Sequence, residues 1–133
     1  MLGRKTTTLR TSGFFSGSAG KIHWRDKTFE IGGKTKKWRK VERSGGWFTS
    51  GREWEWSGHT YTVKHAHHRW TVTDSHEEVA HFTPYKSHLL RSNEHASLHF
   101  TSAIQDEHQR AFIILVLLYS ETKRKDKQAK ATE

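Results

Sequence analysis

Apolar and polar residues alternate along most of the chain, and one long stretch departs from that rhythm. From Ala111 to Tyr119, nine residues (Ala111-Phe112-Ile113-Ile114-Leu115-Val116-Leu117-Leu118-Tyr119) pass without a charge. A helix through them is apolar on every side and has to be buried all round. Asp106 and Glu107 precede the run and Lys123, Arg124 and Lys125 follow it, the charge order that suits the two ends of a helix. Closed by Gln109-Arg110 and Glu121, the run is too short to cross a bilayer, which takes about 20 apolar residues. A strand is the competing reading of so short a run. The flanks favour a central helix over about residues 105–123, wrapped by what precedes it.

Before that run the period is two. Ile22 and Trp24 share a face, Arg25-Asp26-Lys27 turns the chain, and Phe29 and Ile31 lead to Gly32-Gly33, a hairpin pattern. Lys36-Lys37-Trp38-Arg39-Lys40-Val41-Glu42 reads as a basic strand, and Ser44-Gly45-Gly46 as a turn. Arg52-Glu53-Trp54-Glu55-Trp56 alternates charge with indole, and Ser57-Gly58 turns into a strand from His59 to His65. Trp70 and Val72 share a face before a turn at Asp74-Ser75, and Pro84 stops the strand holding Val79-Ala80-His81-Phe82. Residues 86–90 are a short strand candidate, and Ala96, Leu98 and Phe100 share the face of the last one. The spacing predicts about eight to ten short strands, a meander closing into a sandwich or barrel. Such a barrel needs a filling and the apolar helix needs a wall. Residues 1–20 read as a flexible segment or first strand, with a Gly- and Ser-rich loop around Phe14 and Phe15; residues 21–125 form the domain, and 126–133 a frayed, disordered basic tail.

Composition supports one folded domain. Hydrophobic residues are only 32% of the chain, but six Trp, seven Phe and three Tyr bring large buried areas. The absence of cysteine excludes a disulfide framework, thiolate zinc and thiol catalysis, and fits an intracellular protein. A net charge of +9 favours polyanions, with nucleic acid and anionic membrane surfaces as the two candidates; solubility alone is the plainer explanation. The basic N-terminus has no apolar core and does not resemble a signal peptide.

The order of features resembles the tubby-like C-terminal domain superfamily, which includes tubby proteins, phospholipid scramblases and plant LURP-one-related proteins. The likeness is carried by Lys27-Thr28-Phe29-Glu30-Ile31-Gly32-Gly33-Lys34, Glu53-Trp54-Glu55-Trp56, Val79-Ala80-His81-Phe82, Ala96-Ser97-Leu98-His99-Phe100 and residues 113–125. It spans about residues 20–125 and is most similar to a fungal branch of unknown function. It implies a mainly β fold, an antiparallel β-barrel around one buried hydrophobic C-terminal helix. The strands counted here are fewer than that superfamily's usual dozen or so, which implies a shortened or open barrel. Tubby proteins bind phosphoinositides through paired basic residues, a pair that aligns to no position here. Scramblases carry a cysteine-rich stretch that this chain lacks, so scramblase activity does not carry over.

Lys34, Lys36, Lys37, Arg39, Lys40 and Arg43 form the densest positive cluster before the tail, and are the candidate site for anionic lipid headgroups. On a regular strand Lys37 and Arg39 share one face and Lys36, Trp38 and Lys40 the other. Arg offers planar bidentate contact and Lys a point charge, while Trp38 would enter a lipid interface or stack on a base. The alternative is a solvated face with Trp38 in the core. His65 and His67 would point the same way on a strand and are weak metal candidates; eleven histidines make chance clusters common. Glu53 and Glu55 read as the wet side of a wall, and Gly32-Gly33-Lys34-Thr35 lacks P-loop spacing. The expectation is a non-enzymatic domain without cofactor, cytoplasmic or peripheral to a membrane, that docks on anionic lipid. A nucleic-acid binder or a protein-interaction scaffold is the alternative, and buried tryptophans would count against stacking on bases.

Overall fold

The computed structural model describes residues 5–11, 17–43, 51–84 and 96–131. The chain divides into two compact units, one formed by Met1–Val41 with Asp106–Glu133 and the other by Glu42–Gln105. The fold is mainly β, with two antiparallel sheets and a C-terminal helix. Among the described residues each sheet has two outer strands. Among the described residues the strands form these two sheets and no closed barrel.

The first unit contains β1 (Thr6–Thr11), β2 (Gly17–His23), β3 (Thr28–Ile31) and β4 (Lys34–Lys37), hydrogen-bonded in that order. Gly32 and Gly33 make the β3–β4 turn with φ of 56° and 79°, the left-handed conformation that glycine adopts without penalty. A single helical turn, α1 (Trp38–Val41), follows. The long helix α2 (Glu107–Ala131) packs on β2 and β3. Asp106 caps it: its Oδ1 accepts a hydrogen bond from the Gln109 N–H at 2.9 Å, as the acidic start of the run predicts. Ala111, Phe112, Ile113, Leu115, Val116 and Leu117 are buried, an arc of roughly 240° at 100° per residue. Ile114 and Leu118 fill the remaining arc and are half-buried. Helix and sheet approach closely at Gly20, where a Cβ would stand 3.1 Å from Leu115 Cδ1.

Two expectations are corrected in this unit. β2 begins at Gly17, inside the stretch expected as a loop. The helix runs on through Ala131 instead of fraying from 126, because Lys, Gln and Ala are good helix formers. Farther back on the same helix, the buried Glu121 accepts two hydrogen bonds from Arg124, at 2.7 and 2.9 Å. Its carboxylate holds the Arg124 guanidinium above its already high ordinary value, chiefly through that hydrogen bond and against the effect of burial. The contribution of a raised pKa is lost only on passing above it, so Arg124 stays charged at every working pH.

The second unit is a meander of β5 (Glu42–Arg43), β6 (Arg52–Trp56), β7 (His59–Ala66), β8 (Arg69–Asp74), β9 (Glu77–Thr83) and β10 (Ser97–Phe100), each hydrogen-bonded to the next. Trp54, Trp56, Tyr61, Val63, Val72, Val79 and Ala80 are buried. The turn at Ser57-Gly58 and the stop before Pro84 fall where the pattern predicts. Phe14, Phe15, the turn at Ser44-Gly45-Gly46 and the strand over 86–90 lie outside the described residues.

Candidate functional site

The basic cluster does not form one strand. β4 ends at Lys37, and the backbone turns helical at Trp38, whose N–H donates to the Lys27 carbonyl at 2.9 Å. The cause is the aromatic core of this unit. Trp38 is buried, its ring 4.6 Å from Tyr119, 5.6 Å from Trp24 and 6.1 Å from Phe29. Packing of that kind outweighs the weak strand preference of the local sequence. The expected division of faces, with Lys37 and Arg39 on one side and Lys36, Trp38 and Lys40 on the other, is therefore corrected.

Lys34 and Lys37 are exposed on β4 and Lys36 is half-buried; Arg39 and Lys40 are exposed on α1. Arg43 belongs to the second unit, where its guanidinium pairs with Glu55 at 2.8 Å. The structure thus keeps five of the six residues on one unit and gives the sixth a carboxylate partner.

Lys34 lies at the opposite end of β4, beside the Gly32-Gly33 turn, whereas Lys37, Arg39 and Lys40 are joined by cations that the sequence pattern did not single out. Thr6, His23, Thr28 and Lys37 lie side by side across β1, β2, β3 and β4, and mark one end of the first sheet. Lys5 stands just before that row, Arg25 and Lys27 lie in the β2–β3 turn, and Arg39 and Lys40 follow Lys37. Together with Lys37 these are six exposed cations at one sheet end. Lys37 Nζ donates to the Asp26 carbonyl at 2.9 Å, which ties the end of β4 to the turn. The Trp24 N–H donates to the Lys5 carbonyl at 3.0 Å and its indole N–H to Thr7 Oγ1 at 2.8 Å, which ties the same turn to β1. An open cavity of about 170 Å³ lies here, lined by Lys5, Thr6, His23, Arg25 and Asp26. His23 Nε2 is 3.0 Å from Glu30 Oε1.

The charge of the whole chain follows the same division. The first unit has 17 Lys and Arg against 7 Asp and Glu, a net of +10; the second has 6 against 7, a net of −1. The place of Lys37 beside the turn was readable from the Gly32-Gly33 hairpin, which fixes the pairing of Thr28 with Lys37. The place of Lys5 was not, because β1 pairs with β2 across an irregularity at Leu9/Arg10.

His65 and His67 do not share a strand face. His65 is on β7 with its ring 4.6 Å from Trp70, whereas His67 and His68 form the β7–β8 turn with φ of 53° and 62°. Histidine is one of the few non-glycine residues that enters this region readily. Among the described residues no group of three or more His, Cys, Asp or Glu is arranged to hold a metal ion, and no helix is long and apolar enough to cross a membrane. Trp38, Trp54 and Trp56 are buried and Trp70 is half-buried.

No curated protein and no solved structure matches the chain. A family profile does match it, over residues 1–126, and on that match the chain belongs to DUF6593, a family of unknown function.

Proposed function

We propose that this protein is a non-enzymatic, tubby-like domain that docks peripherally on anionic membrane surfaces through the basic end of its first sheet, with a phosphorylated headgroup seated in the adjoining cavity. The observation that carries this reading is the set of six exposed cations, Lys5, Arg25, Lys27, Lys37, Arg39 and Lys40, gathered at one sheet end, with Lys5 and Arg25 lining that cavity. Arg25 and Lys5 supply planar and point-charge contacts to phosphate oxygens, and Thr6 a hydroxyl donor. Asp26 opposes an anion in the cavity, so the surrounding cations have to supply the surplus charge. The tubby-like part of the proposal rests on the antiparallel strands and the apolar C-terminal helix α2; closure of the two sheets into an open or shortened barrel around it belongs to the same proposal.

Burial of Trp38, Trp54 and Trp56 favours this reading over nucleic-acid binding, since it leaves those rings unavailable for stacking on bases. The test is co-sedimentation with vesicles containing phosphoinositide, against phosphatidylserine vesicles of matched charge, over a salt series. Each Lys or Arg near an anionic surface contributes about 1 kcal/mol. The Lys37→Ala/Arg39→Ala/Lys40→Ala variant should therefore partition roughly two orders of magnitude less. Lys5→Ala/Arg25→Ala should abolish any preference for phosphoinositide over phosphatidylserine. Binding unchanged in the triple variant, or none by the native chain, overturns the proposal and leaves a scaffold role.

A further inference from the structure

The second unit holds nine of the eleven histidines and carries almost no net charge. Two of them face each other. His81 on β9 and His99 on β10 are direct cross-strand partners, with ring centres 5.0 Å apart and planes inclined by 33°. Two imidazoles bound through nitrogen to one tetrahedral zinc, each at 2.0–2.1 Å, place their ring centres roughly 5 Å apart. The pair already stands at that spacing.

The surroundings fix both the strand and the ring. The Thr101 N–H donates to the Val79 carbonyl at 2.9 Å and Thr101 Oγ1 to the Glu78 carbonyl at 3.0 Å, pinning the chain just after His99 to the start of β9. His81 Nδ1 lies 3.1 Å from Glu78 Oε2. An ionised carboxylate only accepts hydrogen bonds, so Nδ1 is the nitrogen that donates to Glu78 and Nε2 is the one left to face a metal. A carboxylate behind a histidine is the arrangement that orients metal-binding imidazoles and raises their basicity. Arg69 lies 3.9 Å from Glu78 Oε1, so that carboxylate is held from two sides. His81 is about one-quarter exposed and His99 is exposed, which leaves the site open to solvent.

We infer that His81 and His99 bind a divalent late transition metal, the class that imidazole ligands suit, with Glu78 orienting His81. Among the described residues no group of three or more His, Cys, Asp or Glu is arranged to hold a metal ion, so the two imidazoles are the ligands named here, and bound metal clips β10 onto β9. This inference is independent of the lipid reading, since all of its residues lie in the second unit.

Calorimetric titration of the full chain with zinc chloride at pH 7.5 tests it. The native chain should show one saturable site of 1:1 stoichiometry that His99→Ala removes. Glu78→Gln should weaken that site by about 10-fold or more, and His65→Ala/His67→Ala should leave it intact. Thermal melts in chelator, unchanged in His99→Ala, show that the exposed position is not simply structural. An unaltered site in His99→Ala, its loss in His65→Ala/His67→Ala, or no saturable component in the native chain overturns the inference.

Discussion

The two sheets treat charge in opposite ways. On the second, the described arginines are matched within the sheet: Arg43 pairs with Glu55, Arg52 with Glu42 at 2.7 Å, and Arg69 lies near Glu78. On the first, Lys5, Arg25, Lys27, Lys37, Arg39 and Lys40 gather at one end with Asp26 as the carboxylate of their cavity. Paired surface charges contribute little beyond solubility and local order, whereas unbalanced charge on one face projects a field that draws in counter-charge. The overall net of +9 thus conceals one basic unit and one nearly neutral one. Charge that looked generic along the chain is positional.

Substitutions that treat the two units differently sharpen this contrast. The largest effect is expected in the first unit, where Leu115→Asp would bury an ionised carboxylate without a partner on a side chain that is fully enclosed. That variant should lose more than about 4 kcal/mol and fail to fold; a cooperative, near-native thermal melt would contradict the buried helix. Next comes vesicle binding. If the two sheets differ as described, Arg43→Ala/Arg52→Ala should partition almost as the native chain does, against the large loss in the Lys37→Ala/Arg39→Ala/Lys40→Ala variant, and equal losses would erase the contrast. Asp106→Ala should cost about 1 kcal/mol by removing the cap of α2, measured by urea denaturation. The smallest effect concerns Trp38, whose buried indole N–H has no hydrogen-bond partner among the described residues. Trp38→Phe relieves an unsatisfied donor, worth about 1–3 kcal/mol, while losing ring contacts of similar size, so stability should change by less than about 1 kcal/mol.

Much of the local structure was legible. Gly32-Gly33 and Ser57-Gly58 turn where left-handed backbone is cheapest, Pro84 follows a strand it cannot join, and Asp106 caps the helix it was expected to start. What escaped depended on contacts distant in sequence. Nothing beside Trp38 announces a helical turn; the ring is drawn inward by Tyr119, which lies 81 residues later. His67-His68 contains no glycine, so its turn looked like strand. The candidate site was half visible for the same reason: Lys37 is placed by a local hairpin, and Lys5 by an irregular pairing that no short-range pattern encodes. The division into two units was illegible, because α2 joins strands from the opposite end of the chain.

That last feature imposes an order in time. The second unit is continuous in sequence, whereas the first is interrupted by it, with residues 42–105 inserted between α1 and α2. At about 5–20 residues per second, roughly 3 to 13 s of synthesis separate Val41 from Asp106. Throughout that interval β2 and β3 exist without the helix that will pack on them, and Ile22, Phe29 and Ile31 have no α2 to meet. The later-made second unit can be complete first. On the ribosome, the charged end of the earlier sheet would be assembled last, only after its final helix had emerged.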